Sequence, residues 1–236
     1  MPKLTSDAII LNTRDYLESD KIVCALTEGS GIINAIAKGA KKSRKRFPGT
    51  LEPLSEVTLV YSSREGMDLF RLESASLKSA NLGIREDLNL LAHAFILTEV
   101  IGALLGLHDP SPEVYKYLRY ALSCMDIHKQ WFSVWSISMI NLFKALGYGI
   151  DMDTWHKIDS VLRTGKNIRV PLSPEALAFI KKGVEVKGPV LTRMVVSPRA
   201  REEIEKLLLM LSNMICDKPL KSAGFLAKLL DVNLEQ

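Results

Sequence analysis

Over the first third of the chain, apolar and polar residues alternate in short runs separated by turn residues, the period-two signature of half-buried strands. Ala8 to Arg14 and Lys21 to Thr27 are the first two runs, and both are rich in β-formers. Gly29-Ser30-Gly31 turns the chain into a third run, Ile32 to Ala37. Ser55 to Tyr61 and Leu69 to Leu77 follow, on either side of a turn at Ser62 to Met67. Five strands with no long helix predict a small closed barrel, because closure removes exposed edges. The five-stranded oligonucleotide/oligosaccharide-binding (OB) barrel fits this pattern, and an SH3-like barrel fits the same count.

Near Ile84 the period lengthens to about 3.6. Leu88, Leu91, Ala92, Phe95, Ile96, Val100, Ala103 and Leu104 predict one broad apolar helix face, with Glu99 as its exception. Pro110-Ser111-Pro112 ends that helix, and Val114, Tyr117, Leu118 and Ala121 mark the next. Trp131 to Leu146 forms another, closed by Gly147. Ser173-Pro174-Glu175 and Ser197-Pro198-Arg199 are start signals for two more, and Pro219 to Leu230 predicts a last one. Residues 149–171 carry no sustained period. The expected architecture is α+β in two domains, a barrel over residues 1–80 and a mainly helical domain over 81–236.

Composition adds little to this picture. At 47% hydrophobic and 25% charged residues the chain is an ordinary globular one, and a net charge of +4 is only mildly basic. The distribution of charge says more. Lys38, Lys41, Lys42, Arg44, Lys45 and Arg46 place six cations in nine positions, and no Asp or Glu occurs between Glu28 and Glu52. Glycines flank the run and Pro48 closes it, so it reads as a loop between the third and fourth strands. Such a tract is either a solvated basic loop without a partner or an electrostatic footprint for nucleic acid. In the second reading the six cations pair with phosphates, Arg14, Lys21 and Arg71 extend the track across strands, and Phe47 stacks on a base or belongs to the barrel core.

Catalytic motifs are absent: there is no GxxxxGK[ST], HExxH or GxSxG. Gly29 and Gly31 lie between strands, which argues against a phosphate cradle. His93, His108, His128 and His156 are isolated and read as core or surface residues. Glu86 with Asp87 and Asp151 with Asp153 sit at helix boundaries, where acids favour the first-turn dipole. Trp131, Phe132 and Trp135 read as core anchors. Cys24, Cys124 and Cys216 are distant from one another and form neither a disulfide framework nor a CxxC site. The N-terminus lacks the apolar core of a signal peptide, and the apolar run from Phe95 to Leu107 falls short of the ~20 residues a spanning helix needs. A cytoplasmic protein without cofactor, metal or membrane partner is expected, and binding is its function.

The run Thr13-Arg14-Asp15-Tyr16-Leu17-Glu18-Ser19-Asp20-Lys21-Ile22-Val23, followed by Thr27, Gly31, Ala37 to Ser43 and Leu51-Glu52-Pro53-Leu54, resembles the RecO family of bacterial recombination mediators. Ile84-Arg85-Glu86-Asp87-Leu88, Pro219-Leu220-Lys221-Ser222 and Phe225-Leu226 resemble later family features. The resemblance implies an N-terminal OB barrel and a helical C-terminal domain without enzymatic turnover, in a nucleoid-associated protein. It further implies binding of single- and double-stranded DNA and annealing of complementary strands. With RecR, such a protein helps RecA displace single-stranded-DNA-binding protein, whose acidic, apolar C-terminal tail meets the helical domain. Many members carry a four-cysteine zinc module where this chain has residues 149–171, which contain no cysteine, so no zinc is expected.

Overall fold

A computed structural model describes residues 3–43, 45–62, 69–127, 130–148, 172–186, 188–216 and 218–234. Five strands, β1 (Lys3–Tyr16), β2 (Asp20–Thr27), β3 (Gly31–Ala37), β4 (Glu56–Ser62) and β5 (Leu69–Ser79), are followed by helices α1 (Leu82–Arg85), α2 (Leu88–Leu104), α3 (Pro112–Ile127) and α4 (Trp131–Ala145). After the segment 149–171, which lies outside the described residues, come α5 (Pro174–Glu185), a 3₁₀ turn (Gly188–Arg193), α6 (Pro198–Ile215) and α7 (Lys221–Leu234). The chain divides into two compact units, Met1–Leu82 with Leu105–Arg119, and Gly83–Leu104 with Tyr120–Gln236. Residues 105–119, which the change of periodicity assigns to the helical part, thus group with the barrel.

The strands close in the order β1-β2-β3-β5-β4, with β4 returning to β1. All pairs are antiparallel except β3 with β5, which is the OB arrangement. Both edges of β1 are needed for closure. Its first part pairs with β4 and its second with β2, with a bulge between Ile10 and Asn12 where the strand changes partner. This explains why β1 outruns the apolar segment that predicts it: polar residues such as Lys3, Thr5 and Asp15 are strand because their backbone groups are paired. Ile10, Val23, Ile33, Val57, Leu59, Tyr61 and Leu72 fill the interior.

Gly31 begins β3 at φ +66°, a conformation that favours glycine. Leu107 bridges to Ile32 in parallel, and the His108 amide donates to the Ile32 carbonyl at 2.9 Å. The segment after α2 thereby covers the start of β3 within the barrel unit.

In the helical unit, α2 departs from its predicted single face. Ala92, Ile96 and Val100 are buried as expected, but so are Leu90, His93, Ala94, Leu97, Thr98 and Ile101, while Leu88 and Ala103 are exposed. Both α4 and α7 pack on it, so apolar residues are required around most of the helix. The exceptional acid has a role here: Glu99 Oε2 accepts the Ser222 amide at 3.1 Å, one of the unpaired donors at the start of α7. Asp87 Oδ1 likewise accepts from Asn89 and Leu90 at 2.8 and 3.1 Å, capping α2. Ser173 and Ser197 cap α5 and α6 through the amides of Ala176 and Ala200. Asp151 and Asp153 lie outside the described residues.

Trp135 is fully buried, and its Nε1 donates to the His93 carbonyl at 2.9 Å. The His93 ring packs edge-on against Trp131 and Trp135 at 4.8 and 4.6 Å, with Nδ1 at 2.8 Å from the Asn89 carbonyl. Trp135 and Phe132 are core, as is His93, whereas Trp131 is only half-buried and carries the Arg201 guanidinium 4.8 Å from its ring centre. His108 is exposed, and His128 and His156 lie outside the described residues.

Candidate nucleic-acid interface

The basic loop leaves β3 through Gly39, at φ +67°, and makes tight turns in which the Lys42 and Ser43 amides donate to the Gly39 carbonyl at 3.1 and 3.0 Å. It is held against the β1–β2 hairpin. The Gly39 amide donates to Asp20 Oδ1 at 2.8 Å and the Lys41 amide to the Ser19 carbonyl at 3.0 Å. Farther along, the Ala75 amide of β5 donates to the Arg46 carbonyl at 3.1 Å. The loop is therefore fastened at both ends.

Lys38, Lys42, Lys45 and Arg14 are exposed, and among the described residues no acid pairs with any of them. Arg44 lies outside the described residues. Lys41, by contrast, reaches Asp15 at 2.8 Å, Lys21 reaches Glu52 at 3.6 Å, and Arg71 reaches Glu73 at 3.2 Å. The surrounding sequence offers Lys41 no acid, yet the structure pairs it with one. Acids absent from the surrounding sequence are brought in by the neighbouring hairpin. Exposed pairs of this kind are weak and screened by salt, so a phosphate can replace the carboxylate.

Arg46 is partly committed to the protein. Its guanidinium donates to the Lys38 carbonyl and lies 5.1 Å from the centre of the Phe47 ring. Phe47 is only 5% exposed and packs with Leu51 in the barrel core. Of its two roles open in the sequence, the structure has the core one; a base has no free face of this ring to stack on. Arg14 and Arg71 share one side of the sheet, at the ends of the cross-strand row Arg14-Ile22-Ile36-Arg71. Lys21 belongs to the other side of the pleat, in the row Asp15-Lys21-Ala37. The three do not form one track.

Asp20 is the residue that sequence reading missed. The Gly39 amide, with help from the Ser19 hydroxyl, holds its carboxyl below the ordinary carboxylate range. Because the folded value is depressed, the clamp is present above the unfolded value and is lost as pH falls through the folded one. The Gly39 amide resonance is expected to titrate with a midpoint below that of an ordinary Asp. A midpoint at or above the ordinary value would show that the carboxylate does not hold the loop. The burial of Cys24 raises its thiol to about 11, leaving it unreactive at neutral pH.

Strand order and loop together define an OB-type barrel with a cationic loop, followed by a helical region. The family model "Recombination protein O N terminal" matches residues 1–81 and "Recombination protein O C terminal" matches residues 85–159. The chain is similar to proteins named DNA repair protein RecO. The one from Syntrophobacter fumaroxidans is 36% identical over 148 residues, covering 63% of this chain and 58% of the relative. That from Syntrophotalea carbinolica is 38% identical over 128 residues, or 54% and 50% of the two chains. For Geobacter metallireducens the figures are 33% over 153 residues, 65% and 62%. The chain belongs to the RecO family. It matches between half and about three-fifths of the length of these curated relatives.

Among the described residues no three His, Cys, Asp or Glu side chains gather as a metal site, and no helix is long and apolar enough to cross a membrane. The donor set does not suit the zinc module of the resemblance. Cys24 lies in the barrel unit, Cys124 and Cys216 are buried in the helical one, and residues 149–171 supply no thiolate.

Proposed function

We propose that this protein is a non-catalytic DNA-binding recombination mediator whose barrel loop shields phosphate charge so that complementary strands can approach and anneal. The observation that carries this reading is the exposure of Lys38, Lys42 and Lys45, unpaired among the described residues, on a loop whose backbone is fastened at both ends. Such contacts bind single- or double-stranded DNA without reading sequence. Membership of the RecO family supports the same role, in which the protein acts with RecR to help load RecA onto strands coated by single-stranded-DNA-binding protein. The test is an annealing assay with complementary oligonucleotides, with and without the coating protein. Faster annealing of coated strands is expected; a rate equal to the protein-free control would refute the proposal.

A second reading, an adaptor for an acidic partner tail with only incidental DNA contact, is favoured by a groove within the helical unit. Its volume is about 510 Å³, and Phe179, Val190, Met194 and Val195 line it beside Lys182, Arg193 and Glu175, whose carboxylate is already engaged by the Ser197 amide and hydroxyl. Apolar walls with two cations suit an apolar peptide that ends in carboxylates. Under this reading the isolated tail peptide of the coating protein binds while DNA affinity is negligible. The two activities belong to different units and are compatible.

A further inference from the structure

With Phe47 in the core, the barrel needs another ring if it is to stack on a base. Tyr61 is buried, and Phe70 is half-buried with its ring engaged by Tyr61 and His108 at 5.2 and 5.3 Å. Tyr16 is different. It is the last residue of β1, is 43% exposed, and no other ring packs against it among the described residues.

Its surroundings are those of a nucleotide-binding element. In the hairpin register Tyr16 faces Asp20, the residue that holds the Gly39 amide of the basic loop. Arg14, two residues back and therefore on the same side of the strand, is exposed and unpaired among the described residues. Leu17 follows at φ +52° and is 72% exposed, and its carbonyl accepts from Lys41 Nζ at 3.4 Å. An exposed tyrosine alone means little. Here the hairpin tip that carries it is tied to the cationic loop by three separate hydrogen bonds, which set the ring beside the charges.

We propose that Tyr16 stacks on a base of single-stranded DNA whose phosphates are held by the loop cations. The proposal rests on the DNA-binding reading above. It adds a preference to it: cations serve any strand, whereas a ring can stack only on a base face that a duplex does not present. Tyr16 is therefore the barrel's means of favouring single strands.

The experiment measures binding by anisotropy to three ligands, an oligothymidylate, an abasic deoxyribose-phosphate oligomer of equal length and a duplex, at several salt concentrations. The proteins are the wild type, Tyr16→Ala, Tyr16→Phe and a Lys38→Ala/Lys42→Ala/Lys45→Ala variant. Tyr16→Ala should weaken oligothymidylate binding by about 5- to 100-fold, leaving abasic and duplex binding and the salt slope as they were. Tyr16→Phe, which keeps the ring, should bind as the wild type does. An unchanged oligothymidylate affinity for Tyr16→Ala, together with a loss for the lysine variant, overturns the stacking role and leaves the DNA-binding reading intact. If the lysine variant also binds normally, the DNA-binding reading itself fails. Equal wild-type affinity for the abasic and thymidylate oligomers, or a Tyr16→Phe variant as weak as Tyr16→Ala, likewise overturns stacking. Unchanged thermal unfolding of the Tyr16 variants, expected for an exposed side chain, excludes misfolding as the cause.

Discussion

Replacing Lys38, Lys42 and Lys45 together by alanine is expected to lower single-strand affinity by roughly several hundred-fold at about 50 mM salt. Each phosphate contact with a single strand contributes about 0.7 to the slope of log affinity against log salt, so three lost contacts flatten it by about 2. Near 1 M salt the counterion term vanishes and the variant should approach the wild type. These three lysines are the informative choice because they make no ion pair among the described residues, and their removal leaves no carboxylate without its partner. Neutralising Lys41, Lys42, Arg44, Lys45 and Arg46 together acts in the same direction. It would, however, also strand Asp15 and uncover the Phe47 ring, mixing lost binding with altered folding. Titrations at several salt concentrations decide the matter: parallel lines for variant and wild type mean that the loop does not meet phosphates.

The largest effect on stability is expected from Gly31→Ala. A β-carbon at this position would lie 2.2 Å from the Asp109 carbonyl oxygen, and the backbone sits at φ +66°. The left-handed conformation costs an L-residue about 1–2 kcal/mol, and relieving the overlap requires the 107–109 segment to move off β3. Together these come to about 3 kcal/mol or more, which for a chain of this size lowers the thermal midpoint by roughly 6–12 °C. Gly29→Ala, two residues earlier in the same turn, meets nothing within 4 Å and serves as the control. Equal midpoints for the two variants would mean that the 107–109 segment yields without cost. The prediction also shows why Gly31 is needed: close approach of a second backbone, with no phosphate involved.

Where burial follows local pattern, the sequence was legible. All five strands, the caps at Ser173 and Ser197 and the core placement of Trp135 could be read from it because each depends on a few adjacent residues. The α2 helix was only partly legible: periodicity reports one face, and the number of neighbouring helices is set by the rest of the unit. Glu99, the exception in that face, is accounted for by α7, whose Ser222 amide donates to it. In the candidate site, the sequence identified the cations but not their states. Lys41 and Lys42 are adjacent and chemically identical, yet only Lys41 lies beside Asp15, 26 positions earlier in the chain.

By itself, then, the sequence determined the barrel-then-helices order, the density of positive charge between β3 and β4 and the absence of local catalytic motifs, because these are properties of neighbouring residues. Only the tertiary structure decided that Phe47 faces inward, that the β1–β2 hairpin holds the basic loop through Asp20, and that Tyr16 carries the exposed ring. Each of these depends on pairing and packing between strands that are not adjacent residues: β2 beside β3 brings the Asp20 carboxylate to the Gly39 amide 19 positions later, and the barrel interior takes up Phe47.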